Sequence, residues 1–342
     1  MIPAPLPPAL DILGLGSPIM DLTAHVPDAF LAGVRGEKGG MVLVDAAEMD
    51  AILARLPAPP ALEPGGSSAN VIRNAARLGL RAGFLGKLGA DATAAAYRAH
   101  SNSLGLDPHR FKASPDRANA RCLALITPDG ARTMRTDLGA ALTLAPGEIR
   151  PVDFAGVRHA HIEGYLVFNQ ALADAALAGA RASGATVSLD IASFEVVHAA
   201  RDWMLAQLRA GGVHHVFANE DEIRALYPDG GDDYAGHARR LAGESPGLVA
   251  VVKVGKDGAW IARGAELHRV APVVVERVVD TNGAGDAFAG GFLYGFARGW
   301  PLDLCGALGA ALGAECVRHS GPAIPGDHWA TVAAVRDRLA RG

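Results

Sequence analysis

The sequence has few cysteines, no long apolar run and no surplus of basic residues. Its three cysteines are widely spaced and form no C-x-x-C pair, which excludes a disulfide framework and a zinc ribbon and favours a reducing compartment (Cys122, Cys305 and Cys316). No stretch reaches the roughly 18 uncharged apolar residues that a membrane span needs, and the Pro-rich start lacks the pattern of a signal peptide. Lys plus Arg (32) against Asp plus Glu (36) gives a net charge of −4, which disfavours a phosphate backbone as partner. We therefore expect a cytoplasmic protein that binds neither nucleic acid nor membranes.

Several short catalytic signatures are also missing. Neither Gly-Lys pair is followed by Ser or Thr, so the sequence has no Walker A loop. No G-x-G-x-x-G is present, which disfavours a dinucleotide oxidoreductase. H-E-x-x-H and G-x-S-x-G are absent as well, which removes the commonest zinc-protease and serine-hydrolase interpretations.

What is present is the composition of a globular chain. Half of the 342 residues are hydrophobic and 20% are charged, which excludes a disordered protein. Short apolar or β-branched runs alternate with Ala/Leu-rich segments of helical period, the pattern of βαβ units in a parallel sheet that is covered on both faces. The predicted strands are 11–16, 81–86, 159–163, 186–190, 214–219 and 248–254, and the predicted helices include 69–78, 172–182, 197–209 and 235–242.

Two stretches, 20–45 and 111–136, interrupt this alternation with short alternating segments. The second contains a Pro128-Asp-Gly130 turn between 122–127 and 131–135, which predicts a β-hairpin. Together the two stretches could pair into a small sheet over the active-site edge and act as a lid, or they could be unrelated surface hairpins. No stretch is long enough to be a domain linker, so we expect one α/β domain over 1–342.

The most informative segment is Asp280-Thr-Asn-Gly-Ala-Gly-Asp286, which is followed by a run of small and apolar residues and should begin a helix. We interpret residues 272–279 before it as a strand. Small residues at Gly283, Ala284 and Gly285 let a ligand approach the backbone, and free amides at a helix N-terminus bind anions such as a phosphoryl group. Asp286 could accept the proton of an attacking hydroxyl there, or it could simply complement the helix dipole.

This segment resembles the C-terminal motif of the PfkB, or ribokinase-like, kinases. A second resemblance lies some 200 residues earlier, in glycines and an asparagine at the family's spacing (Gly65, Gly66, Asn70, Gly79 and Gly89). The earlier motif departs mildly at Ser68 and Ile72, where the family has other small residues. The resemblance extends from about residue 11 to about residue 325. It implies a doubly wound, mostly parallel sheet flanked by helices, with a small β-sheet lid.

The resemblance also implies the roles of individual residues. Asp286 would be the catalytic base, and the amides of Gly283, Ala284 and Gly285 would form the anion hole. The acceptor would be held by residues near the N-terminal motif and on the hairpin, with Asp21 placed at the end of the first strand (Asp21, Gly65, Gly66, Asn70, Arg132 and Arg135). An arginine that comes down with the lid would neutralise phosphoryl charge.

Further matches concern the nucleotide and the cations. Asn219 and Glu222 resemble the family's N-x-x-E motif and would organise Mg²⁺ through water, although the same pair is typical of a helix capping box. Gly255 and Gly258 resemble the family's nucleotide loop, in which Lys253 and Lys256 are unassigned candidates for phosphate contact. Asp280 is a candidate K⁺ ligand. His319 is a candidate contact to the nucleotide base, with a plain surface histidine as the alternative.

The sequence therefore predicts an ATP-dependent, Mg²⁺-assisted kinase that phosphorylates a primary hydroxyl of a sugar or nucleoside. Similarity to bacterial adenosine-kinase-like members slightly favours adenosine, with Met41, Tyr165 and Phe168 as candidates for an apolar slot around the base. The alternatives are a simple sugar kinase for ribose, fructose or a keto-deoxy sugar acid, and a binding protein that has lost catalysis. Either a monomer or a homodimer is compatible with the sequence.

Overall fold

The structure is a computed structural model that describes residues 9–341, and its body is an eight-stranded sheet with helices on both faces. This is the predicted α/β fold. The strands are β1 (Ile12–Leu15), β2 (Ile19–His25), β3 (Met41–Leu43), β4 (Ala61–Gly65), β5 (Ala82–Leu85), β6 (Lys87–Leu88), β7 (Lys112–Ala113), β8 (Ala120–Ile126), β9 (Arg132–Asp137), β10 (His159–Glu163), β11 (Thr186–Asp190), β12 (His215–Ala218), β13 (Val249–Lys253), β14 (Ala259–Arg263) and β15 (Glu266–Val270).

Eight of the ten α-helices within residues 9–341 lie in two layers, and the other two, 46–53 and 92–103, contribute to a third core cluster. The ten are α1 (Ala46–Leu53), α2 (Ser67–Arg77), α3 (Ala92–Ser103), α4 (Gln170–Ala182), α5 (Phe194–Arg209), α6 (Glu220–Leu226), α7 (Tyr234–Ala242), α8 (Ala284–Ala297), α9 (Leu302–Cys316) and α10 (Trp329–Leu339). Helices α4 to α7 pack with one core cluster, and α2, α8, α9 and α10 pack with another. Each apolar stripe has the helical period, as in α4, where the buried residues are Leu172, Ala173, Ala176, Leu177 and Ala180.

The central sheet has the order β15-β14-β13-β12-β11-β10-β1-β5. In this sheet order, neighbouring strands are parallel from β13 through β12, β11, β10 and β1 to β5. Strand β14 is antiparallel to β13, and β15 is antiparallel to β14. All six strands predicted from buried apolar runs are present, because runs covered on both faces carry an unambiguous signal. The chain order changes direction at β1, which has β5 on one side and β10 on the other, and ligands bind at such a switch point in open α/β sheets.

A second sheet has the order β3-β9-β8-β2-β4 and combines strands from both interrupting stretches. Strands β8 and β9 form the predicted hairpin around the turn at Pro128. The segment β4 was not foreseen, because its Pro64 and Gly65 argue against a strand, yet it pairs with β2 at the sheet edge. The first residues of the second stretch do not join this sheet, since β7 pairs with β6.

Two expectations about local structure are wrong. Asp21 does not end the first strand: β1 ends at Leu15, and after a break at 16–18 the chain enters β2, which carries Asp21 in the second sheet. Residues 272–279 do not form a strand, because β15 is the edge of the central sheet and the chain then leaves it. The valines of this segment are largely exposed, with Val274 at 85%.

Two negative expectations can be compared with the described residues. Within residues 9–341, no helix combines the length and the apolar character required to cross a membrane. The three cysteines are free thiols, and Cys305 and Cys316 are buried in the apolar core.

Candidate active site

Charged and polar side chains follow four neighbouring strands of the central sheet. Glu163 ends β10, Asp190 ends β11, Asn219 follows β12 and Lys253 ends β13. Because these strands are parallel and in adjacent positions, their carboxyl ends share one edge, and Glu163 is the direct register partner of Asp190. The topology therefore concentrates two carboxylates, one amide and one ammonium group at the edge where the sheet changes direction.

Asp286 reaches this edge from the first turn of α8. Its two carboxylate oxygens accept hydrogen bonds from α2, one from Asn70 Nδ2 at 2.8 Å and one from Ser67 Oγ at 2.9 Å. Burial raises the pKa of Asp286 to about 6, although these hydrogen bonds and the Lys253 ammonium favour its ionised form. The structure thus joins the two sequence motifs, 216 residues apart, through one pair of side chains.

The N-terminus of α8 is open toward the same edge. Gly283 precedes the helix with φ of +75°, and a β-carbon there would lie 2.6 Å from the Cα of Pro322, so only glycine fits. No described residue accepts a hydrogen bond from the amides of Gly283, Gly285 or Asp286. These amides and the helix dipole form a site for an anion.

Lys253 adds a positive charge beside these amides. Its Nζ lies 3.3 Å from Asp190 Oδ2 and 3.1 Å from the point where a β-carbon of Gly285 would stand. Burial by itself would lower the pKa of Lys253, but the carboxylates of Asp190, Glu222 and Asp286 outweigh it and raise the pKa. The sequence left Lys253 unassigned, and the structure places its ammonium group against the start of α8.

Asn219 and Glu222 bind one another in a complete capping box. Asn219 N and Nδ2 donate to the two Glu222 carboxylate oxygens at 2.8 and 2.7 Å, and Glu222 N donates to Asn219 Oδ1 at 2.9 Å. Burial raises the pKa of Glu222, and the nearby Lys253 ammonium offsets part of this rise. The pair is therefore a helix cap at the site edge, and a cation would reach it most readily through water.

Glu163 is a buried carboxylate that the sequence did not identify as a site residue. Its oxygens accept hydrogen bonds from Ser17 N at 2.8 Å and from Ser68 N at 3.2 Å, and so connect β10 to the loop after β1 and to α2. Burial raises the pKa of Glu163 to about 7 against these two bonds. Glu163 holds together the three elements on which the acceptor side of the site is built.

One face of the second sheet lines a small cavity of about 30 Å³ that opens to solvent. The side chains of Asp21 and Glu63, directly opposite one another on β2 and β4, both line it. Burial raises the pKa of Asp21 to about 7, against the positive charges of Arg73 and Arg132. The cavity is lined by Asp21, Thr23, Glu63, Cys122, Ala124, Arg132, Met134, Asn282, Gly321 and Pro322.

Two glycines just before α2 allow the Asp21 carboxylate and the Ser17 carbonyl to lie close to the backbone beside this cavity. A β-carbon at Gly65 would overlap the Asp21 carboxylate, and one at Gly66, where φ is +100°, would overlap the carbonyl of Ser17. Asn70 Oδ1 is buried and has no hydrogen-bond partner among the described residues, although Asn70 Nδ2 is bound to Asp286. An acceptor atom without a partner beside Asp286 suits a ligand that carries a hydroxyl group.

Arg132 and Arg135 lie on opposite faces of the second sheet. Arg132 faces the cavity and forms an ion pair with Asp280, the first residue of the α8 motif. Arg135 is fully buried on the other face, where it donates to the carbonyls of Gly40 and Met134. The structure therefore does not bring Arg135 to the cavity, and the reason is the two-residue period of a strand, which separates positions three apart.

Three further candidates lie around these groups. Asp280 accepts from the amides of Asn282 and Gly321 at 3.0 and 2.8 Å in addition to Arg132, so its oxygens already hold two loops together. Gly255 and Gly258 form the turn between β13 and β14, both with positive φ. His319 pairs with Glu315, at 3.0 Å, on the last turn of α9.

The arrangement combines a buried carboxylate, an anion site and a cavity lined by hydrogen-bonding side chains. Asp286 can take a proton from a hydroxyl group when it is ionised. The α8 amides and Lys253 can stabilise negative charge next to it, in a setting with little water. The residues that the sequence missed are Ser67, Glu63, Glu163 and Asp190, and Lys253 remained an unassigned candidate. Glu163, Asp190 and Lys253 share one recoverable signal, because each ends an observed strand (β10, β11 and β13) at a predicted strand position.

The chain was compared with known proteins. Residues 41–329 match the model of the pfkB family carbohydrate kinases. The crystal structure of adenosine kinase from Sinorhizobium meliloti superposes with a TM-score of 0.83 at 31% identity, covering 97% of this chain and 99% of that one. Adenosine kinase of Saccharomyces cerevisiae is 28% identical over 92% of this chain and 96% of its own length. The 5-dehydro-2-deoxygluconokinase of Shouchella clausii is 29% identical over 72% and 78% respectively.

The raised pKa of Asp286 predicts that the carboxylate destabilises the fold. Unfolded, its pKa is 3.8, and folded it is about 6, so between these values the folded state holds a proton that the unfolded state has lost. Stability therefore falls as the pH rises from about 4 to about 6 and carries the full penalty above it. Asp286→Asn cannot ionise; its amide oxygen can still accept from Asn70 Nδ2, and its amide nitrogen can donate to Ser67 Oγ, which then becomes the acceptor. The variant should therefore be more stable than the wild type at neutral pH, by up to about 3 kcal/mol.

Denaturant unfolding of both proteins across this pH range measures the effect. The stability difference should grow between about pH 4 and about pH 6 and then level off. Asp116→Asn, a change at an exposed carboxylate, serves as the control and should show no such growth. A difference that does not vary with pH, or an Asp286→Asn protein less stable than the wild type at neutral pH, would contradict the prediction.

Proposed function

The chain belongs to the pfkB family of carbohydrate kinases, and we propose that its acceptor is a nucleoside of the adenosine type, phosphorylated on a primary hydroxyl. As a member of this family it is a phosphotransferase that acts on an alcohol group of a sugar or nucleoside, with ATP as the phosphoryl donor. The observation that carries the proposed roles is the contact between the two motifs, in which Asn70 and Ser67 hold Asp286 at the open end of α8.

In the proposed reaction, Asp286 is the general base. The acceptor hydroxyl would lie between Asp286 and the start of α8, and its proton would pass to the carboxylate as its oxygen attacks the γ-phosphorus. A base with a pKa of about 6 is ionised at neutral pH and still accepts a proton readily. Asp21 and Glu63 would accept hydrogen bonds from the remaining hydroxyls, and the partnerless Oδ1 of Asn70 offers a further acceptor.

The phosphoryl group would be held by the Gly283 and Gly285 amides and by Lys253, whereas the Ala284 amide already donates to the carbonyl of Thr281 at 3.3 Å. When bound, Mg²⁺ would neutralise phosphate charge, and its donor set here would be the carboxylates of Asp190 and Glu222. The fit is supported by the raised pKa of Glu222, a buried acid that a nearby cation would stabilise in its ionised form. Because both Glu222 oxygens are already bound to Asn219, we propose that water molecules bridge this pair to the ion. Asp280 remains a proposed K⁺ ligand, with the loop at 279–283.

We propose that the second sheet, formed largely by residues 20–45 and 111–136, acts as a lid. Its cavity face touches the α8 motif through the ion pair of Arg132 with Asp280. Closure there excludes water, which would otherwise compete with the acceptor for the phosphoryl group. The proposed single α/β domain over 1–342 would then carry both the site and the lid.

The likeness to the two adenosine kinases and one aromatic side chain at the sheet edge support a nucleoside over a simple sugar. Coverage does not separate the two acceptor classes, because a probable sugar kinase from Rhizobium etli also matches 97% of this chain with a TM-score of 0.83. The aromatic side chain is Tyr165, two residues after the end of β10, with 44% of its surface exposed. Loss of water around its hydroxyl raises the pKa of Tyr165 to about 12, and the negative charges of Glu163, Asp286 and Glu222 add to the rise. Met41 and Phe168 are also exposed, at 55% and 64%.

Acceptor-dependent ADP formation tests the function directly. With Mg²⁺ and K⁺ present, adenosine should support ADP release at a higher kcat/KM than other nucleosides, ribose, fructose or 2-keto-3-deoxygluconate. Asp286→Asn should lower kcat by about 10² to 10⁴ and leave ATP binding intact, as expected for a lost general base. Preference for a sugar would replace the proposed acceptor but not the site, whereas full activity of Asp286→Asn would refute the assigned base.

Methionine at each of the two hairpin arginines separates their roles. Arg132→Met should lower kcat by about 10² to 10³, since a charge that faces the cavity is lost. Arg135→Met should leave kcat unchanged, because Arg135 lies on the opposite face and two of its buried nitrogens have no partner among the described residues. Steady-state kinetics of both variants, with thermal unfolding to check folding, makes the comparison. Equal losses in the two variants would rule out the proposed role of Arg132.

Removal of the Tyr165 ring tests the nucleoside assignment. Stacking of an aromatic ring on a base contributes about 1–3 kcal/mol, so Tyr165→Ala should lower kcat/KM for adenosine by about 5- to 150-fold. Activity with ribose at high concentration should not change, because ribose has no base. Leu142→Ala, at an exposed apolar residue with 73% exposure, is the matched control. An equal loss with adenosine and ribose would show that Tyr165 supports the fold rather than the base.

A further inference from the structure

Outside the proposed kinase site, three potential metal ligands meet at the C-terminal end of α9. Glu315 lies on the last turn of α9, His319 in the turn that follows, and His328 immediately before α10. One oxygen of Glu315, Oε1, lies 3.0 Å from His319 Nε2 and 3.0 Å from His328 Nδ1. The two imidazole rings meet edge to face, with centroids 4.2 Å apart and an angle of 64° between their planes.

We propose that Glu315, His319 and His328 bind a divalent transition-metal ion, with Zn²⁺ as the best fit. Two imidazole nitrogens and one carboxylate oxygen are the ligand set that suits zinc, nickel or copper and does not suit Mg²⁺. Three protein ligands leave one tetrahedral position for water. The proposed kinase reaction uses none of these residues as a metal ligand; the family resemblance concerns only His319, as a candidate contact to the nucleotide base.

The distances agree with such an ion. Bonds of about 2.0–2.2 Å from zinc to nitrogen and oxygen require ligand atoms about 3.3 Å apart at tetrahedral angles. The two measured separations of 3.0 Å are close to this value, and all three ligand atoms lie within 4.8 Å of one another. Two of the three pairs of ligand atoms are therefore already close to the separation that coordination requires, and the third pair lies within 4.8 Å.

The surroundings of the cluster meet the other requirements of a metal site. The Glu315 side chain is 5% exposed, and its second oxygen, Oε2, is held by Arg318 Nη1 at 3.3 Å, which leaves Oε1 directed at the histidines. The second ring nitrogen of His328, Nε2, lies 3.9 Å from Asp327 Oδ2, a separation too long for a hydrogen bond. His328 is 43% exposed, so an ion can enter from solvent.

Bound metal would close a loop that contacts the proposed phosphoryl site. His319 and His328 stand at the two ends of the segment between α9 and α10. Within that segment, Gly321 N donates to Asp280 at 2.8 Å, and Pro322 packs against Gly283. A metal ion that joins the two ends to Glu315 would hold this segment against the motif that begins α8.

Zinc binding to the full-length protein tests the proposal. Chelator-treated wild type, without nucleotide, is titrated with Zn²⁺ alone by calorimetry, in parallel with His319→Ala, His328→Ala, the double variant and the control His109→Ala, which changes an exposed histidine elsewhere. Because the kinase site also carries carboxylates, the signal is the difference between wild type and double variant. We expect one additional ion per chain in the wild type and His109→Ala, and affinity reduced by more than the about 10- to 100-fold typical of outer-shell changes in each single variant.

Two further measurements keep the result interpretable if a variant is less stable. Co²⁺ in place of Zn²⁺ should give the intense visible bands of a four-coordinate site in the wild type and lose them in the double variant. Zn²⁺ should also slow amide hydrogen exchange in the peptide that spans 317–328 in the wild type only. Equal Zn²⁺ binding by wild type and double variant, or exchange in this peptide that does not respond to Zn²⁺, would overturn the proposal.

Discussion

The position of one carboxylate, that of Asp286, is the constraint on which the rest of the structure depends. It is held between the first turns of two helices, α2 and α8, with the Lys253 ammonium beside the second. Ionised carboxylates resist burial, and this edge of the sheet also contains Asp190, Glu222 and Glu163. The fold therefore concentrates unfavourable negative charge where the proposed phosphoryl transfer would bring Mg²⁺. These buried carboxylates lower the free energy of unfolding, a loss of stability that is common at enzyme active sites.

The open end of α8 is shaped by a segment far along the chain. Pro322 occupies the space beside Gly283, Gly321 donates to Asp280, and Arg73 of α2 donates to the carbonyl of Pro322 at 2.9 Å. The segment after α9 thus reaches both motifs. Its two ends meet at Glu315, so any ligand of that cluster would act on the same segment and, through it, on the start of α8.

The second sheet contributes to the site by the alternation of its side chains. Asp21, Glu63 and Arg132 lie on the cavity face, and Arg135 lies on the other face with the apolar residues that fill the space under α1. The same strands therefore provide a polar surface for a hydroxylated ligand and a core that keeps this surface flat against the body. The pairing of β2 with β4 places the carboxylates of Asp21 and Glu63 opposite one another.

The sequence alone determined the fold class, the six buried parallel strands, the hairpin at Pro128 and the family, because buried runs, turn residues and glycine-rich motifs are local signals. It also identified Asp286, Asn70 and Gly283, which two motifs mark at fixed spacing. The tertiary structure alone decided that Glu163, Asp190 and Lys253 share one edge, that Arg132 but not Arg135 faces the cavity, and that His319 pairs with Glu315 and His328. These relations depend on strand order, on the register of the second sheet and on the return of the chain after α9, which are contacts between residues far apart in sequence that no local pattern encodes.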